Sequence, residues 1–372
     1  MTANPPPFTP LAQSLPSTVP FVGPETLERQ RGRPFAARIG ANESGFGPSP
    51  EVIAAMQAAA ADSWKYGDPE NHELKAAIAA HLGVPFAHVN AGGGIDGLLG
   101  LAVRLYVAPG DTVVSSLGSY PTFHYHVHGF GGRLVTVPYR NDHEDLDALL
   151  DAAHREKPKL IYLANPDNPM GTWHSGAKVA DFARALPAQT MLILDEAYCE
   201  TAPAGTVPDI NINTPNVLRF RTFSKAYGMA GVRVGAVFGP QDAIDAFNKV
   251  RNHFGISRIA QAGAIAALKD QAHLQCVIAA VAHSRYEISA AARACGLHPI
   301  PSATNFVAID CGRDGVFAKR VLDGLIARDI FVRKPAAPVL DRCIRVSCGP
   351  DAEMALFAAA LPEAFADAQA DG

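Results

Sequence analysis

Two β-rich runs joined by a tight turn fill residues 216–237, and they constrain the fold because they place Lys225 at the end of a strand. Hydroxyl side chains at Thr222 and Ser224 precede the lysine, and Arg233 follows it. Burial and a neighbouring cation both lower the pKa of a lysine, which makes its amine a nucleophile for Schiff-base formation. The hydroxyls and the guanidinium suit a phosphate group. The segment therefore predicts a reactive lysine beside a phosphorylated ligand.

The sequence TFSKAYGMAGVRVG around this lysine resembles the lysine segment of the fold-type I, pyridoxal-phosphate-dependent aminotransferases of class I/II. It is most similar to the histidinol-phosphate aminotransferase branch, and the similarity extends from about Pro20 to about Gly349. The resemblance implies pyridoxal 5'-phosphate as the cofactor, bound to Lys225 as a Schiff base. It also implies transfer of an amino group from histidinol phosphate or an amino acid to a 2-oxo acid such as 2-oxoglutarate.

The length of 372 residues is long for one compact core and predicts two domains. The resemblance implies an α/β fold, in which a large α/β/α domain with a mostly parallel sheet is joined to a smaller α+β domain. We expect an N-terminal arm at residues 1–35 that packs with the small domain, a large cofactor-binding domain at 36–255 and a small domain at 256–372. The alanine-rich tail at 352–372 predicts a surface helix that frays.

The composition favours an ordered soluble protein over a nucleic-acid-binding or membrane protein. Apolar residues make up 48% of the chain and charged residues 18%, with a net charge of -4. No run of about 20 apolar residues is present, and the proline-rich start lacks the pattern of a secretory signal. The six cysteines include no CxxC pair, which predicts reduced thiols and a cytoplasmic location.

An apolar run, MLILDEAYCE, predicts a buried strand with acidic residues at its carboxyl end, the end of a parallel sheet at which ligands bind. The resemblance implies three catalytic residues here and in the lysine segment. Lys225 moves a proton between the substrate Cα and the cofactor, Asp195 pairs with the cofactor's pyridine nitrogen, and Tyr198 donates a hydrogen bond to its ring oxygen. An acid in this position is also typical of a helix cap.

A glycine turn at residues 91–97 precedes an apolar helix, and free amides at a helix start bind phosphate. The resemblance makes Gly94, Ile95 and Asp96 a phosphate cup, together with Thr222, Ser224 and Arg233. The turn also satisfies GxGxxG, so an NAD-dependent oxidoreductase is an alternative, although no acid follows at the spacing of a ribose-binding residue. Relatives usually have Glu where this chain has Gly97.

The resemblance assigns three more residues to the cofactor. Phe123 lies where relatives place an aromatic ring over the cofactor, and Asn168 where an asparagine binds its ring oxygen. Tyr66 matches a tyrosine that reaches the phosphate in the neighbouring subunit, which predicts a homodimer. Each has a simpler interpretation: a core phenylalanine, a Pro/Asn-rich turn and a loop tyrosine.

The resemblance places four residues on the substrate side: Arg345, Arg333, Asn42 and Phe21. Arginine binds a carboxylate and a phosphate equally well, so the two arginines do not choose between substrates. Relatives have a tyrosine at the position of Phe21, and its absence removes a hydroxyl that could bind a substrate phosphate. An aromatic or broad-specificity amino-acid transaminase and a threonine-phosphate decarboxylase therefore remain alternatives.

Three histidines, His124, His126 and His128, alternate along the chain. A strand would place all three on one face, whereas a helix would bring only His124 and His128 together. No carboxylate or thiolate stands at a recognisable metal-ligand spacing from them. We therefore predict no metal site, and expect one of these histidines to border the substrate cavity.

Overall fold

The computed structural model describes residues 6–17 and 22–370, so the prediction for Phe21 lies outside the described residues. The strands are β1 Ala37–Arg38, β2 Val89–Gly92, β3 Thr112–Ser116, β4 Arg133–Val137, β5 Leu160–Ala164, β6 Met191–Asp195, β7 Val217–Thr222, β8 Gly235–Phe238, β9 His298–Pro299, β10 Phe306–Asp310, β11 Ile330–Phe331 and β12 Cys343–Ser347.

The helices surround these strands. They are α1 Pro10–Ser14, α2 Pro24–Arg31, α3 Pro50–Ala60, α4 His72–Leu82, α5 Gly94–Tyr106, α6 Pro121–Gly129, α7 Leu146–Glu156, α8 Gly176–Ala185, α9 Gln241–Ala246, α10 Arg258–Lys269, α11 Gln271–Ala294, α12 Gly315–Ala327 and α13 Asp351–Ala370. Single 3-10 turns lie at Phe86–His88, Cys199–Thr201, Ala230–Val232, Phe247–Lys249 and Leu340–Arg342.

A seven-stranded sheet in the order β2–β8–β7–β6–β5–β3–β4 forms the centre of the molecule. Only β8 runs against its neighbours, and the pairs among β7, β6, β5, β3 and β4 are parallel. This confirms the predicted α/β fold with a large, mostly parallel sheet. The parallel arrangement brings the carboxyl ends of β5, β6 and β7 to one edge of the sheet.

The central strands are apolar on both faces because helices cover both sides of the sheet. In β5 and β6 every residue is buried. Tyr162 packs into a cluster with residues of α5 and α6, whereas its neighbours Ile161 and Leu163 pack with α7 and α8 on the opposite face. The continuous apolar runs in the sequence follow from this burial on two sides.

A second, antiparallel sheet in the order β12–β10–β9 forms the C-terminal part with α11, α12 and α13. β1 pairs in parallel with β11, and Ala37 and Ile39 lie in the same apolar core as these helices. Residues just after the predicted boundary at 36 thus contact the C-terminal part. α10 packs against α3, which lies beside the large sheet. Ala260 and Ala264 of α10 share an apolar core with Val52 of α3. The three-part division itself stays a prediction.

Contacts of Arg31 and Phe35, among others, tie the described part of the N-terminal arm to the C-terminal part. Arg31 forms an ion pair with Asp329, and the Phe35 ring lies 5.3 Å from the ring of Phe331. The tail is helical as expected, but it is not a fraying surface helix. Phe357 and Leu361 on α13 are fully buried in the C-terminal core.

Candidate active site

The predicted catalytic residues converge at the carboxyl edge of the large sheet. Asp195 is the last residue of β6, and in the sheet it faces Ala164 of β5 and Phe220 of β7. Lys225 follows the end of β7 by three residues, in the turn before β8. Neighbouring parallel strands therefore bring together residues that lie 30 positions apart in the sequence.

Asp195 is buried, with 5% of its surface exposed. Its carboxylate accepts hydrogen bonds from the Tyr162 hydroxyl at 2.7 Å and from the Ala197 amide at 2.9 Å. Burial raises the pKa of Asp195 to about 6, and these hydrogen bonds and the nearby Lys225 oppose that rise. Above this pH the carboxylate is ionised and suited to hold a protonated ring nitrogen.

Lys225 is half-buried, and its Nζ donates a hydrogen bond to the backbone oxygen of Asn42 at 2.9 Å. The pKa of Lys225 is lowered to about 8, chiefly by burial and then by the positive charge of Arg345, while Asp195 opposes the change. A substantial fraction of the amine is consequently neutral in mildly alkaline solution. The predicted reactive lysine has the electrostatic setting that a nucleophile and proton carrier requires.

Tyr198 lies beside the lysine, which is 5.6 Å from the centre of the tyrosine ring. Its hydroxyl accepts a hydrogen bond from the side-chain amide of Asn42 at 3.2 Å. Burial raises the pKa of Tyr198, so the phenol keeps its proton at neutral pH. The predicted roles of Tyr198 and Asn42 remain predictions, but the two residues share one cluster with Lys225.

The predicted phosphate cup forms where α5 begins. Gly94 has φ +86°, and a side chain there would overlap the guanidinium of Arg233. Within the part of the chain that the structure describes, no side chain caps this end of α5, so its first amides are oriented to bind an anion. Arg233 donates to the Ser224 hydroxyl at 3.3 Å and is itself exposed toward this opening. Ile95 follows Gly94 and is buried.

Thr222 and Asp96 also lie at this cup, and each has a protein partner. Thr222 is buried and its hydroxyl accepts a hydrogen bond from the Ser224 amide at 3.1 Å. Asp96 contacts His126, whose Nε2 is 3.1 Å from the carboxylate. Gly97 meets open space, so a longer side chain in relatives would be accommodated at this position.

Phe123 is completely buried and stacks on Tyr162, with 4.5 Å between the ring centroids. Because Tyr162 donates to Asp195, Phe123 supports the carboxylate through one intermediate ring. Its contact with a cofactor stays a prediction. Sequence reasoning missed Tyr162, and the signal was present: a tyrosine inside a fully buried strand must find a partner for its hydroxyl.

The predicted substrate arginines are neighbours. Arg333 and Arg345 exchange backbone hydrogen bonds, at 3.2 Å and 2.6 Å. The Arg345 guanidinium donates to Asn168 at 2.6 Å, and among the described residues its buried Nε has no partner. Burial lowers the pKa of Arg345 to about 10, and the charge of Arg333 contributes to this. Two cations close together in a desolvated place favour an anionic ligand.

The three histidines lie on α6 and point in different directions. His124 contacts the hydroxyls of Ser115 and Ser119, and burial lowers its pKa to about 4. His126 contacts Asp96, and His128 is exposed. Within residues 6–17 and 22–370, no three His, Cys, Asp or Glu side chains are grouped as metal ligands.

Tyr66 lies on the surface, with 78% of its area exposed, and its ring packs on Phe254 at 4.8 Å. Trp64 nearby is 79% exposed. Such an aromatic surface is typical of a protein interface. The hydroxyl of Tyr66 does not belong to the cluster formed by Lys225 in the same chain.

The alternative of a dinucleotide site at residues 92–97 is wrong. A dinucleotide fold requires the strand before the glycine turn to lie beside a parallel strand of the same βαβ unit. Among the strands of the described residues, β2 pairs only with the antiparallel β8, and β3, the next strand in sequence, is separated from β2 by four strands. The glycine turn therefore opens a helix without the crossover that this cofactor needs.

Comparison with known proteins agrees with this geometry. The family model described as aminotransferase class I and II matches residues 38–361. The histidinol-phosphate aminotransferase of Anaeromyxobacter sp. (strain Fw109-5) is 36% identical, over 91% of this chain and 94% of that protein. The crystal structure of histidinol-phosphate aminotransferase from Sinorhizobium meliloti in complex with pyridoxal-5'-phosphate is 58% identical, with a TM-score of 0.94 and coverage of 97% and 98%.

The chain belongs to the aminotransferase class I and II family, and it is a pyridoxal-phosphate-dependent aminotransferase. A second relative, histidinol-phosphate aminotransferase 1 of Nitrosococcus oceani (strain ATCC 19707 / BCRC 17464 / JCM 30415 / NCIMB 11848 / C-107), is 34% identical over 90% of each chain. Within the family the chain lies in the histidinol-phosphate aminotransferase branch. The expectation drawn from the TFSKAYGMAGVRVG segment is thereby confirmed.

The site fits pyridoxal phosphate, the cofactor of this family. Gly94 forms a cradle that a Cβ would fill, and it opens beside Arg233 and the uncapped amides of α5. The buried carboxylate of Asp195 and the amine of Lys225 supply the two groups that the pyridine nitrogen and the aldehyde need.

In the part of the chain that is described, we find no helix with the length and apolar character of a membrane span.

Proposed function

We propose that this aminotransferase takes histidinol phosphate as its amino donor and a 2-oxo acid, such as 2-oxoglutarate, as its acceptor. The pairing of Arg345 with Arg333 carries the proposal. A phosphate monoester brings two negative charges, which match two neighbouring guanidinium groups better than a single carboxylate does. The names of the similar proteins from Anaeromyxobacter and Sinorhizobium support the same donor.

When bound, pyridoxal phosphate supplies an aldehyde that takes up the amino group and a ring that withdraws electrons from the substrate Cα. Lys225 is the residue that removes the proton from the substrate Cα and delivers it to the cofactor. A primary amine with a pKa of about 8 suits both directions of this transfer near neutral pH.

Asp195 and Tyr198 hold the two polar atoms of the ring in this proposal. The ionised carboxylate of Asp195 keeps a proton on the ring nitrogen, because a proton there is stabilised by the adjacent negative charge. Tyr198 remains protonated and donates to the ring oxygen. The amides of Gly94 and Ile95, with Arg233 and Ser224, bind the phosphate and anchor the ring between these groups.

Arg345 serves both halves of the cycle. It binds the phosphate of the donor together with Arg333, and it binds the carboxylate of the 2-oxo acid when that substrate enters. Its Nη1 donates a hydrogen bond to Asn168, which holds the guanidinium in the site. Its buried Nε has no partner among the described residues and would donate to a substrate oxygen. Binding both anions at one place satisfies a cycle in which the two substrates occupy the site in turn.

A panel of amino donors tests this proposal. Purified enzyme is assayed with histidinol phosphate, histidinol, phenylalanine and threonine phosphate, each with 2-oxoglutarate, by measuring glutamate. We expect kcat/KM for histidinol phosphate to exceed that for histidinol at least about a hundredfold, since the phosphate supplies charge-assisted hydrogen bonds. A preference for phenylalanine contradicts the proposal, and release of carbon dioxide from threonine phosphate identifies a decarboxylase.

We also propose that the protein is a cytoplasmic homodimer whose interface includes the surface of Trp64, Tyr66 and Phe254. Their exposure supports an interface at this surface. Tyr66 of one subunit would then contribute its hydroxyl to the phosphate site of the other. All six cysteines are free thiols, which agrees with a reducing compartment. Sedimentation equilibrium measures the first property and subcellular fractionation the second.

A further inference from the structure

Asn42 occupies an unusual position in the chain between β1 and α3. It is buried, with 3% of its surface exposed, and its φ is +55°. Residues other than glycine rarely adopt this left-handed backbone conformation, and asparagine tolerates it better than most. The backbone of Asn42 is therefore held in place by its contacts.

Those contacts extend to both catalytic neighbours. The carbonyl oxygen of Asn42 accepts a hydrogen bond from Lys225 Nζ at 2.9 Å, and its side-chain Nδ2 donates to the Tyr198 hydroxyl at 3.2 Å. One residue thus contacts the amine that moves the proton and the phenol that faces the ring oxygen. Its two contacts use different groups, a backbone acceptor and a side-chain donor.

The C-terminal sheet fixes Asn42 from the opposite side. Its N–H donates to Ser347 Oγ at 2.9 Å, and that hydroxyl donates in turn to Asn42 Oδ1 at 3.3 Å. The amide of Asn305 donates to the Asn42 carbonyl at 3.2 Å. Ser347 lies on β12 two residues after Arg345, so the strand that carries a substrate arginine also orients the Asn42 amide.

The direction of the Tyr198 contact has a chemical consequence. An amide nitrogen only donates, so the Tyr198 oxygen must accept from Asn42. The phenol proton of Tyr198 then remains available for an acceptor on its other side. The Lys225 contact likewise leaves the reactive group available. The Asn42 carbonyl oxygen holds the amine in place, but it lacks the full negative charge that would keep the amine protonated.

We propose that Asn42 is a positioning residue for proton transfer: its side-chain amide aims the Tyr198 hydroxyl at the cofactor's ring oxygen, and its carbonyl holds the Lys225 amine between transfers. This assignment replaces direct substrate binding as the main role of Asn42, and it rests on the proposed roles of Lys225 and Tyr198. Ser347 and Asn305 maintain the left-handed geometry from which both contacts are made.

The test uses the holoenzyme of Asn42→Gly and Asn42→Asp. Glycine accepts the left-handed backbone and keeps the carbonyl but removes the amide donor. Aspartate has nearly the same shape, but its oxygen accepts from Tyr198 and turns the phenol proton away. We titrate the visible absorption band of the bound cofactor with pH. This band reports whether the bound cofactor is protonated, and the titration needs no amino donor.

We expect both variants to shift the midpoint of this titration upward by about one pH unit, because the anionic ring oxygen loses its hydrogen-bond donor. In the steady state, kcat falls about tenfold for Asn42→Gly, while KM for the donor changes less than about threefold. A purely structural role for Asn42 would leave the midpoint of the holoenzyme unchanged.

A double-mutant cycle with Tyr198→Phe separates orientation from a general disturbance. Once the phenol is gone, Asn42→Gly should cause little further shift of the midpoint, because both substitutions remove the same hydrogen bond. Asn71→Gly is the matched control: Asn71 is also buried, has φ +53° and lies at the start of α4. We expect it to titrate as the wild type does.

Wild-type midpoints for both Asn42 variants, or fully additive shifts in the cycle, would overturn the proposal. These outcomes differ from failure of the proposed substrate. If histidinol phosphate is not the donor, the panel of donors shows it, and the absorption titration still reports on Asn42 and Tyr198.

Discussion

At the scale of single residues, burial moves the pKa values of Lys225 and Asp195 toward neutrality. The lysine falls to about 8 and the aspartic acid rises to about 6, in each case mainly through loss of water around the charge. Each group also partly stabilises the charge of the other. The amine can therefore give and take a proton near neutral pH, whereas the carboxylate stays ionised to pair with a cation.

Removal of the amine should abolish turnover. We expect Lys225→Ala to lower kcat at least about a thousandfold, since a positioned acid/base group contributes rate factors of this size. The measurement is glutamate formation under saturating substrates. Lys178→Ala on the exposed face of α8 is the control and should retain wild-type activity. Undiminished transamination by Lys225→Ala would refute the role of this lysine.

The lowered pKa of Lys225 also predicts how stability depends on pH. Between pH 8 and 10.5 the unfolded chain keeps a proton that the folded chain has released, so the free energy of unfolding rises with pH in this window. Below pH 8 Lys225 is charged in the folded state as well, so the folded protein carries the full free-energy cost of burying that charge. We expect Lys225→Met in cofactor-free protein to be about 1–3 kcal/mol more stable at pH 7.

Urea denaturation of cofactor-free wild type and Lys225→Met, followed by tryptophan fluorescence at several pH values, checks this expectation. The difference between the two proteins should shrink as the pH rises from about 8 to about 10. A difference that is independent of pH would mean that the lysine is not desolvated as the structure indicates.

At the scale of elements, the predicted phosphate cup depends on how α5 begins against β8 and the lysine turn. The left-handed φ of Gly94 and the guanidinium packed over it leave no room for a side chain. Gly97, one turn later, has open space above it. Two glycines of one motif therefore differ in what they permit.

We predict that Gly94→Ala weakens pyridoxal phosphate binding, because it displaces Arg233 and strains the backbone by about 1–3 kcal/mol. Gly97→Ala should leave cofactor binding unchanged and stabilise the helix by up to about 1 kcal/mol. Fluorescence titration of the cofactor-free proteins gives both dissociation constants. Equal affinities for the two variants would show that the cradle at Gly94 is not used.

At the scale of the whole molecule, the site lies where the large sheet meets the C-terminal sheet. The large sheet presents Asp195 and Lys225, and β12 presents Arg345 and Ser347. Arg342 of the C-terminal part forms an ion pair with Asp142 at 2.7 Å, which links the two parts, and a second ion pair at 2.7 Å with Asp310 on β10. The predicted substrate arginine and the reactive amine thus come from different parts of the fold.

The proposed dimer predicts complementation between two defective subunits. Tyr66→Phe keeps the contact with Phe254 but removes the hydroxyl, and it should weaken cofactor binding about tenfold. In a heterodimer of Tyr66→Phe with Lys225→Ala, one site combines an intact lysine with an intact tyrosine from the partner. We expect that heterodimer to show wild-type cofactor affinity at one site and about half the activity per dimer.

Co-expression with two affinity tags isolates the heterodimer for these assays, and sedimentation establishes that it is dimeric. If its working site keeps the weakened affinity of Tyr66→Phe, then Tyr66 serves its own subunit and the proposed arrangement is wrong. A protein that sediments as a monomer and remains active contradicts the dimer as well.

Local patterns in the sequence determined the chemistry. The lysine turn and the glycines before α5 act through neighbours a few residues away, so their residue types indicate a reactive amine and a phosphate. The family resemblance adds the acid that ends β6 as a counter-ion. The apolar run of β6 likewise predicted a buried strand. These features need only strand and helix periodicity.

Tertiary structure alone decided how those pieces meet. Asn42 and Ser347 are hydrogen-bonded although 305 positions apart, and β1 pairs with β11. Tyr162 of β5 donates to Asp195 of the adjacent β6. The same folding separated the three histidines and left β2 without the parallel neighbour that a dinucleotide site needs. Such contacts depend on the order of strands and on the packing of two sheets. Neither is encoded in any short stretch of residues.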